Sequence, residues 1–140
     1  ACDVRKRSPY AAYDKVQFDE VLYNEGDSYA RYMVRMKEIE QSLHILEQLV
    51  DNIPEGDYLA KTKPIIKVPE GRYFKEVEAA RGAFGIYLES RGDKFPYRLK
   101  VNSPGFNLVG AVDHMTRGSK IADLIAIGGS LDYVVPDIDR

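Results

Sequence analysis

Cysteine and histidine are scarce in this 140-residue chain: there is one cysteine, Cys2, and two histidines, His44 and His114. One thiol excludes an internal disulfide, which fits a reducing compartment. One thiol and two scattered imidazoles also fall short of a zinc site. No Ser-His-Asp or Cys-His catalytic set can be assembled from them, and each histidine reads as structural or surface. Long apolar runs are missing as well. None approaches the roughly 20 residues that a membrane-spanning helix needs, and no signal peptide opens the chain. Membrane association is therefore expected only through partner proteins. A dominant charge is missing too: the formal net charge is −2, with basic residues interleaved among acids. That excludes the basic face that binding to phosphate backbones requires, so no nucleic acid is expected as a partner. The longest basic cluster, Arg5 to Arg7, reads as a solvated terminal arm. Neither G-x-G-x-x-G nor a P-loop occurs, and Gly128-Gly129-Ser130 lacks both the spacing and the lysine, so the chain itself should bind neither NADH nor a nucleotide.

What is present is a run of contrasting periodicities. Residues 1–25 mix Tyr10, Tyr13, Phe18, Leu22 and Tyr23 with charges, and Pro9 disfavours a helix; an extended arm packed on something else is expected. Tyr29, Tyr32, Met36, Ile39, Leu43, Leu46 and Val50 then recur at alternating spacings of three and four, which places them on one face of an α-helix over residues 28–51. Asp27 is the expected N-cap, and Asn52 and Pro54 stop the helix. Met33, Ile45 and Leu49 broaden the stripe, so the helix is expected in a core or a subunit interface. Fully buried, Leu43 would cost roughly 2–5 kcal/mol on truncation to alanine.

Residues 54–71, with Pro54, Gly56, Pro64, Pro69 and Gly71, read as a loop. From 72 to 102 the period falls to two. Tyr73, Lys75, Val77 and Ala79 alternate with Phe74, Glu76 and Glu78. Phe84, Ile86 and Leu88 share a face of a second strand, and Tyr97, Leu99 and Val101 a face of a third. Arg91-Gly92-Asp93-Lys94 supplies the turn; as an adhesion tripeptide it has no extracellular context. Two short helices are expected near 106–116 and 119–127, the second ended by Gly128-Gly129. In the tail, Leu131, Val134, Val135 and Ile138 are interleaved with Asp132, Asp137, Asp139 and Arg140, and Pro136 is expected to keep it extended. Residue chemistry leaves two readings open: a docked strand with alternating faces, or a tail buried in a cavity with Asp139 and Arg140 paired.

These residues also resemble a known family, the quinone-reaction (D) subunit of respiratory complex I. Asp3-Val4-Arg5-Lys6 with Pro9-Tyr10, Tyr13-Asp14 and Phe18-Asp19 is similar to the start of that protein's second half. Gly26-Asp27-Ser28, Arg31-Tyr32, Arg35, Glu38 and Gln41-Ser42-Leu43 resemble its long helix. Glu78-Ala79-Ala80-Arg81-Gly82 with Phe84-Gly85, then Pro96-Tyr97-Arg98, Pro104-Gly105-Phe106, Ala122-Asp123, Gly129-Ser130, Asp132 and Asp139-Arg140, follow in the family's order. The resemblance runs essentially end to end. Ala80 stands where the family commonly has proline. The linker before Val68 is short, as in bacterial and archaeal versions, including complexes fed by a deazaflavin or ferredoxin.

The resemblance implies a hydrogenase-large-subunit-like α+β fragment, a single C-terminal domain over residues 1–140. One long helix, a small antiparallel sheet of about three strands and two short C-terminal helices are expected, cut from a longer protein. The related NiFe hydrogenases hold their metals on tail cysteines; Val134 and Asp137 look like those positions, and Arg140 like the final histidine. Valine offers no donor atom and a nickel-iron centre needs soft thiolates, so no metal is expected. The resemblance implies that Arg81, Val134, Asp137, Asp139 and Arg140 line a quinone cavity. The residues that contact the headgroup would lie in an absent N-terminal half, leaving no catalytic residue here and an isolated chain without activity. It further implies an NADH–quinone oxidoreductase as the parent complex, with quinone as substrate. No cofactor is expected on this chain. The expected partners are the iron–sulfur subunit that bears the terminal cluster and a membrane arm. The expected place is the cytoplasmic face of the cell membrane, peripheral through the complex. The rival from another class is a stand-alone α+β protein-interaction module.

Overall fold

The computed structural model describes residues 3–138. Its order is α1 (Val4–Arg7), α2 (Ser28–Val50), β1 (Gly71–Ala79), β2 (Gly82–Ser90), β3 (Arg98–Asn102), α3 (Pro104–Thr116), α4 (Asp123–Leu131) and α5 (Val135–Ile138). The expected α+β architecture is present: one long helix, one antiparallel sheet in the order β1-β2-β3, and C-terminal helices.

Asp27 caps α2 as expected, its Oδ1 accepting from the Ala30 N–H at 2.7 Å. This satisfies one of the donors that a helix start leaves without a partner. At 23 residues the helix is roughly 35 Å long. The arm that precedes it is not extended throughout: turns close Tyr10–Tyr13 and Ala12–Lys15 before it runs along the helix surface. Two glutamines of α2 serve the arm's backbone: Gln48 Oε1 accepts from the Gln17 N–H at 2.8 Å and Gln48 Nε2 donates to the Gln17 carbonyl at 2.7 Å, while Gln41 Oε1 accepts from the Asp19 N–H at 2.9 Å. An irregular segment pressed on a helix must satisfy its amides somehow, and here polar side chains do it.

The apolar stripe of α2 does not face the core of this chain. Tyr29, Tyr32, Met36, Ile39, Leu43, Leu46 and Val50 are all exposed, Leu43 at 56 % and Leu46 at 60 %. The expectation of a buried Leu43 is therefore not met within this chain. The buried α2 residues are Ala30 and Ile45. Toward α4 the helix turns arginines: Arg31 Nε donates to Ser130 Oγ at 2.9 Å, and Arg35 donates to the Ser130 carbonyl.

The sheet holds its register over nine pairs between β1 and β2, from Gly71 opposite Ser90 to Ala79 opposite Gly82, so Ala80-Arg81 forms a tight turn. One face carries the row Tyr73, Leu88, Leu99; the other carries Arg72, Glu89, Arg98. Among the described residues the buried apolar side chains are Val4, Phe18, Ala30, Ile45, Ile127 and Leu131. They lie in α1, the arm, α2 and α4, buried where these elements pack.

Three local expectations give way. Arg5 is no part of a solvated arm: it is 5 % exposed, sits in α1, and forks onto Asp3 through Nε–Oδ1 at 3.0 Å and Nη2–Oδ2 at 2.6 Å. Its guanidinium also lies 4.6 Å from the Phe18 ring centroid, and Arg7 pairs with Glu76 of β1. The second C-terminal helix starts later and runs through Gly128-Gly129 to Leu131. Its cap is Asp132, in the left-handed region at φ 54°, which aspartate tolerates better than most residues. The tail is not extended either: Val135–Ile138 form a helical turn. Pro136 fits there because proline is tolerated in a first turn, where the amide has no helical partner.

Candidate functional site

The β1–β2 turn stands between two adjoining cavities, both lined by Ala79, Ala80 and Arg81. The smaller, of about 230 Å³, is also lined by Phe84, Pro104, Val134 and Asp137. Arg81, Val134 and Asp137, expected from the sequence to share a site, thus meet around one cavity although Arg81 and Val134 are 53 positions apart. Asp139 and Arg140, the other two expected members, lie outside the described residues, and with them the expected ion pair.

The geometry of Arg81 follows from its neighbours. Its Nε donates to the Asp132 carbonyl at 2.7 Å and lies 3.3 Å from Asp132 Oδ2. Among the described residues its two Nη groups have no partner, so they can donate to an acceptor in the cavity. Asp137 is held at the start of α3. Its Oδ2 accepts from Ser103 Oγ and, at 3.3 Å, from the Gly105 N–H. Ser103 is itself the N-cap of α3, its Oγ accepting from the same amide at 3.2 Å. A Cβ added at Gly105 would lie 2.8 Å from Asp137 Oδ2, so a larger residue here would push that carboxylate aside.

The larger cavity, of about 510 Å³, is ionic: Arg5, Arg31, Arg35, Glu38, Glu78 and Asp132 lie on its walls. Burial pushes the Glu38 carboxyl up, against the pull of Arg5 and Arg35. The Arg5 guanidinium holds Asp3 below the usual carboxylate range. Burial, then the charge of Glu78, pushes the Tyr13 phenol up to about 12, and that phenol donates to Glu78 Oε2 at 3.1 Å. The two cavities thus adjoin across Arg81, the larger with more charged side chains on its walls.

Sequence reasoning missed Ser103, Gly105 and Asp132 as site residues. Ser103-Pro104 was readable as an N-cap followed by proline at N1, but nothing local says that a tail carboxylate joins it. His44 is exposed and lies 3.8 Å from Glu47; His114 is exposed too, as a surface reading requires. Among the described residues no helix is long and apolar enough to cross a membrane.

All 140 residues match the family described as respiratory-chain NADH dehydrogenase, 49 Kd subunit. The chain belongs to that family, and the reading as a stand-alone module gives way to it. It is 69 % identical over its whole length to the C/D subunit of the NADH-quinone oxidoreductase of Bacteroides fragilis, covering 26 % of that protein. It is 55 % identical to the D subunit of the NADH-quinone oxidoreductase of Desulfotalea psychrophila, covering 99 % of this chain and 37 % of that one. It also superposes with TM-score 0.90 and 41 % identity on a chain of the membrane-bound sulfane sulfur reductase, an archaeal respiratory membrane complex, covering all of this chain and 39 % of that one. The chain therefore spans about a quarter to two fifths of the relatives it matches.

Proposed function

We propose that this chain is the C-terminal domain of the D subunit of a complex I and forms one wall of the quinone cavity of an NADH–quinone oxidoreductase. The observation that carries the reading is the meeting of Arg81, Val134 and Asp137 around one small recess. In this reading Phe84, Pro104 and Val134 provide an apolar surface for a flat ring. The free Nη groups of Arg81 supply donors for a carbonyl oxygen or a reduced oxyanion. An iron–sulfur cluster needs several thiolates, and the sequence has one cysteine. Electrons then come from a cluster on a neighbouring iron–sulfur subunit. The remaining wall comes from the rest of the protein, and attachment to the cytoplasmic face of the membrane runs through a membrane arm.

The test is Val134→Met in membranes carrying the intact complex. Added volume in a confined apolar recess typically costs ~1–3 kcal/mol, and a rigid inhibitor adapts less than a flexible isoprenoid quinone. A shifted inhibitor titration at normal complex levels is expected; a wild-type titration sinks the reading. A second reading rests on the short linker before Val68: the same wall in a relative fed by deazaflavin or ferredoxin. Comparing NADH with reduced ferredoxin as donor to the same membranes separates the two.

A further inference from the structure

Two polar anchors bracket Val134 in the tail. On one side, Asp132 is tied to Arg81 across the β1–β2 turn. On the other, Asp137 is tied to Ser103 and to the first turn of α3. Val134, two residues after the first anchor and three before the second, lies between them on the cavity wall. We infer that Asp137 is a positioning residue whose carboxylate latches the tail to the N-terminus of α3 and thereby sets where Val134 stands in the cavity. This rests on the reading of that cavity as a quinone site.

A carboxylate at a helix start satisfies amides that have no partner within the helix, and it sits at the positive end of the helix dipole. Asp137 Oδ2 takes two donors at once, the Ser103 hydroxyl and the Gly105 amide. Ser103, Pro104 and Gly105 are all buried, so little water can replace that oxygen if it leaves. The fit is reciprocal. A Cβ at Gly105 would meet Asp137 Oδ2 at 2.8 Å, with Asp137 Cβ and Ile138 Cγ1 each at 3.4 Å. Backbone of α3 and side chains of the tail are thus in contact with no slack. An oxygen engaged in this way orients the tail rather than offering its lone pairs to a ligand.

The latch and a charge-bearing cavity residue predict opposite behaviour for a neutral isostere. The side-chain oxygen of Asp137→Asn can still accept from Ser103 and Gly105; Asp137→Ala cannot. Gly105→Ala forces the same separation from the other side, its new Cβ displacing Asp137 Oδ2 while leaving the carboxylate's charge in place.

The experiment uses the intact purified complex. Amide exchange is followed by mass spectrometry in the peptides covering 103–108 and 133–138, and quinone KM, kcat and inhibitor titration are measured on the same samples. Asp137→Ala and Gly105→Ala should both speed exchange in the two peptides, by about tenfold for loss of a charge-assisted hydrogen bond. Both should raise the quinone KM and shift the inhibitor curve more than they lower kcat. Asp137→Asn should recover most of both properties.

Unchanged exchange in Asp137→Ala overturns the latch. An Asn variant as impaired as Ala, beside a Gly105→Ala variant that behaves as wild type, overturns it in favour of a charge role. Faster exchange with a wild-type inhibitor curve in Asp137→Ala, while Val134→Met still shifts that curve, removes the positioning role and leaves the quinone reading standing. If Val134→Met is also without effect, the quinone reading falls with it. Should Asp137→Ala block assembly, the contrast between Asp137→Asn and Gly105→Ala carries the test.

Discussion

The two faces of α2 invert the usual arrangement of a surface helix. Toward the rest of this chain it presents Arg31, Arg35, Glu38, Gln41 and Gln48, which bond to Ser130 or to arm amides or line the ionic cavity. Away from the chain it presents seven large apolar side chains, from Tyr29 to Val50, all exposed. A helix normally turns its apolar stripe inward. The two faces of this helix thus differ in character. Its polar face is satisfied here, by hydrogen bonds that fix register. Its apolar face awaits a cover whose contribution is burial. An exposed apolar strip of this length marks an interface, which accords with a chain that spans 37 % of its Desulfotalea psychrophila relative.

The largest expected effect tests the inward side. Asp3→Asn leaves the buried Arg5 without its charge partner, and breaking such a pair from one side costs roughly 3–5 kcal/mol. Denaturant unfolding should show the loss at neutral pH. The sign with pH is fixed by the lowered pKa of Asp3. Its contribution is present above the ordinary value of 3.8 and disappears as pH falls through the depressed pKa. Wild type and variant should therefore converge in acid, and persistence of the gap there would separate Asp3 from the charge argument.

A smaller effect of opposite sign is expected at Glu38. Burial raises its pKa above the ordinary 4.5, so its favourable contribution is present below that value and lost as pH rises through the raised pKa. Glu38→Gln should melt higher than wild type at neutral pH, and the advantage should vanish in acid. A variant that melts lower at neutral pH would mean that Arg5 and Arg35 outweigh the burial. The smallest effect lies on the outward face. Leu43→Ala should change the stability of the isolated chain by less than about 0.5 kcal/mol, as surface changes do. The same change in the assembled complex should cost about 2–5 kcal/mol if the stripe is covered there. Equal effects in both settings would break the contrast between the faces.

The same contrast explains what could be read from the sequence. Spacings of three and four between Tyr29 and Val50 locate α2 and its apolar face because they record which side chains are kept from water in the finished protein. They carry no information on whose atoms do the covering, so the stripe's exposure here was not legible. The period of two over 73–101 located the sheet and its faces for the same geometric reason. Short pieces were not legible: α1 has four residues, and α4 passes through Gly128-Gly129 because a glycine pair weakens a helix without forbidding it. Of the candidate site, Arg81, Val134 and Asp137 were reachable only through resemblance. Their meeting depends on a tail returning across the β1–β2 turn, which no local pattern announces. Ser103 and Gly105 were missed because their role is to receive that tail.

The outward stripe of α2 also constrains timing. From the moment α2 forms, a ridge roughly 35 Å long stays wet until its cover arrives. Exposed apolar surface of that kind drives self-association at cellular concentrations. Whatever covers the ridge, the rest of the same protein or another subunit, must therefore reach it before self-association does.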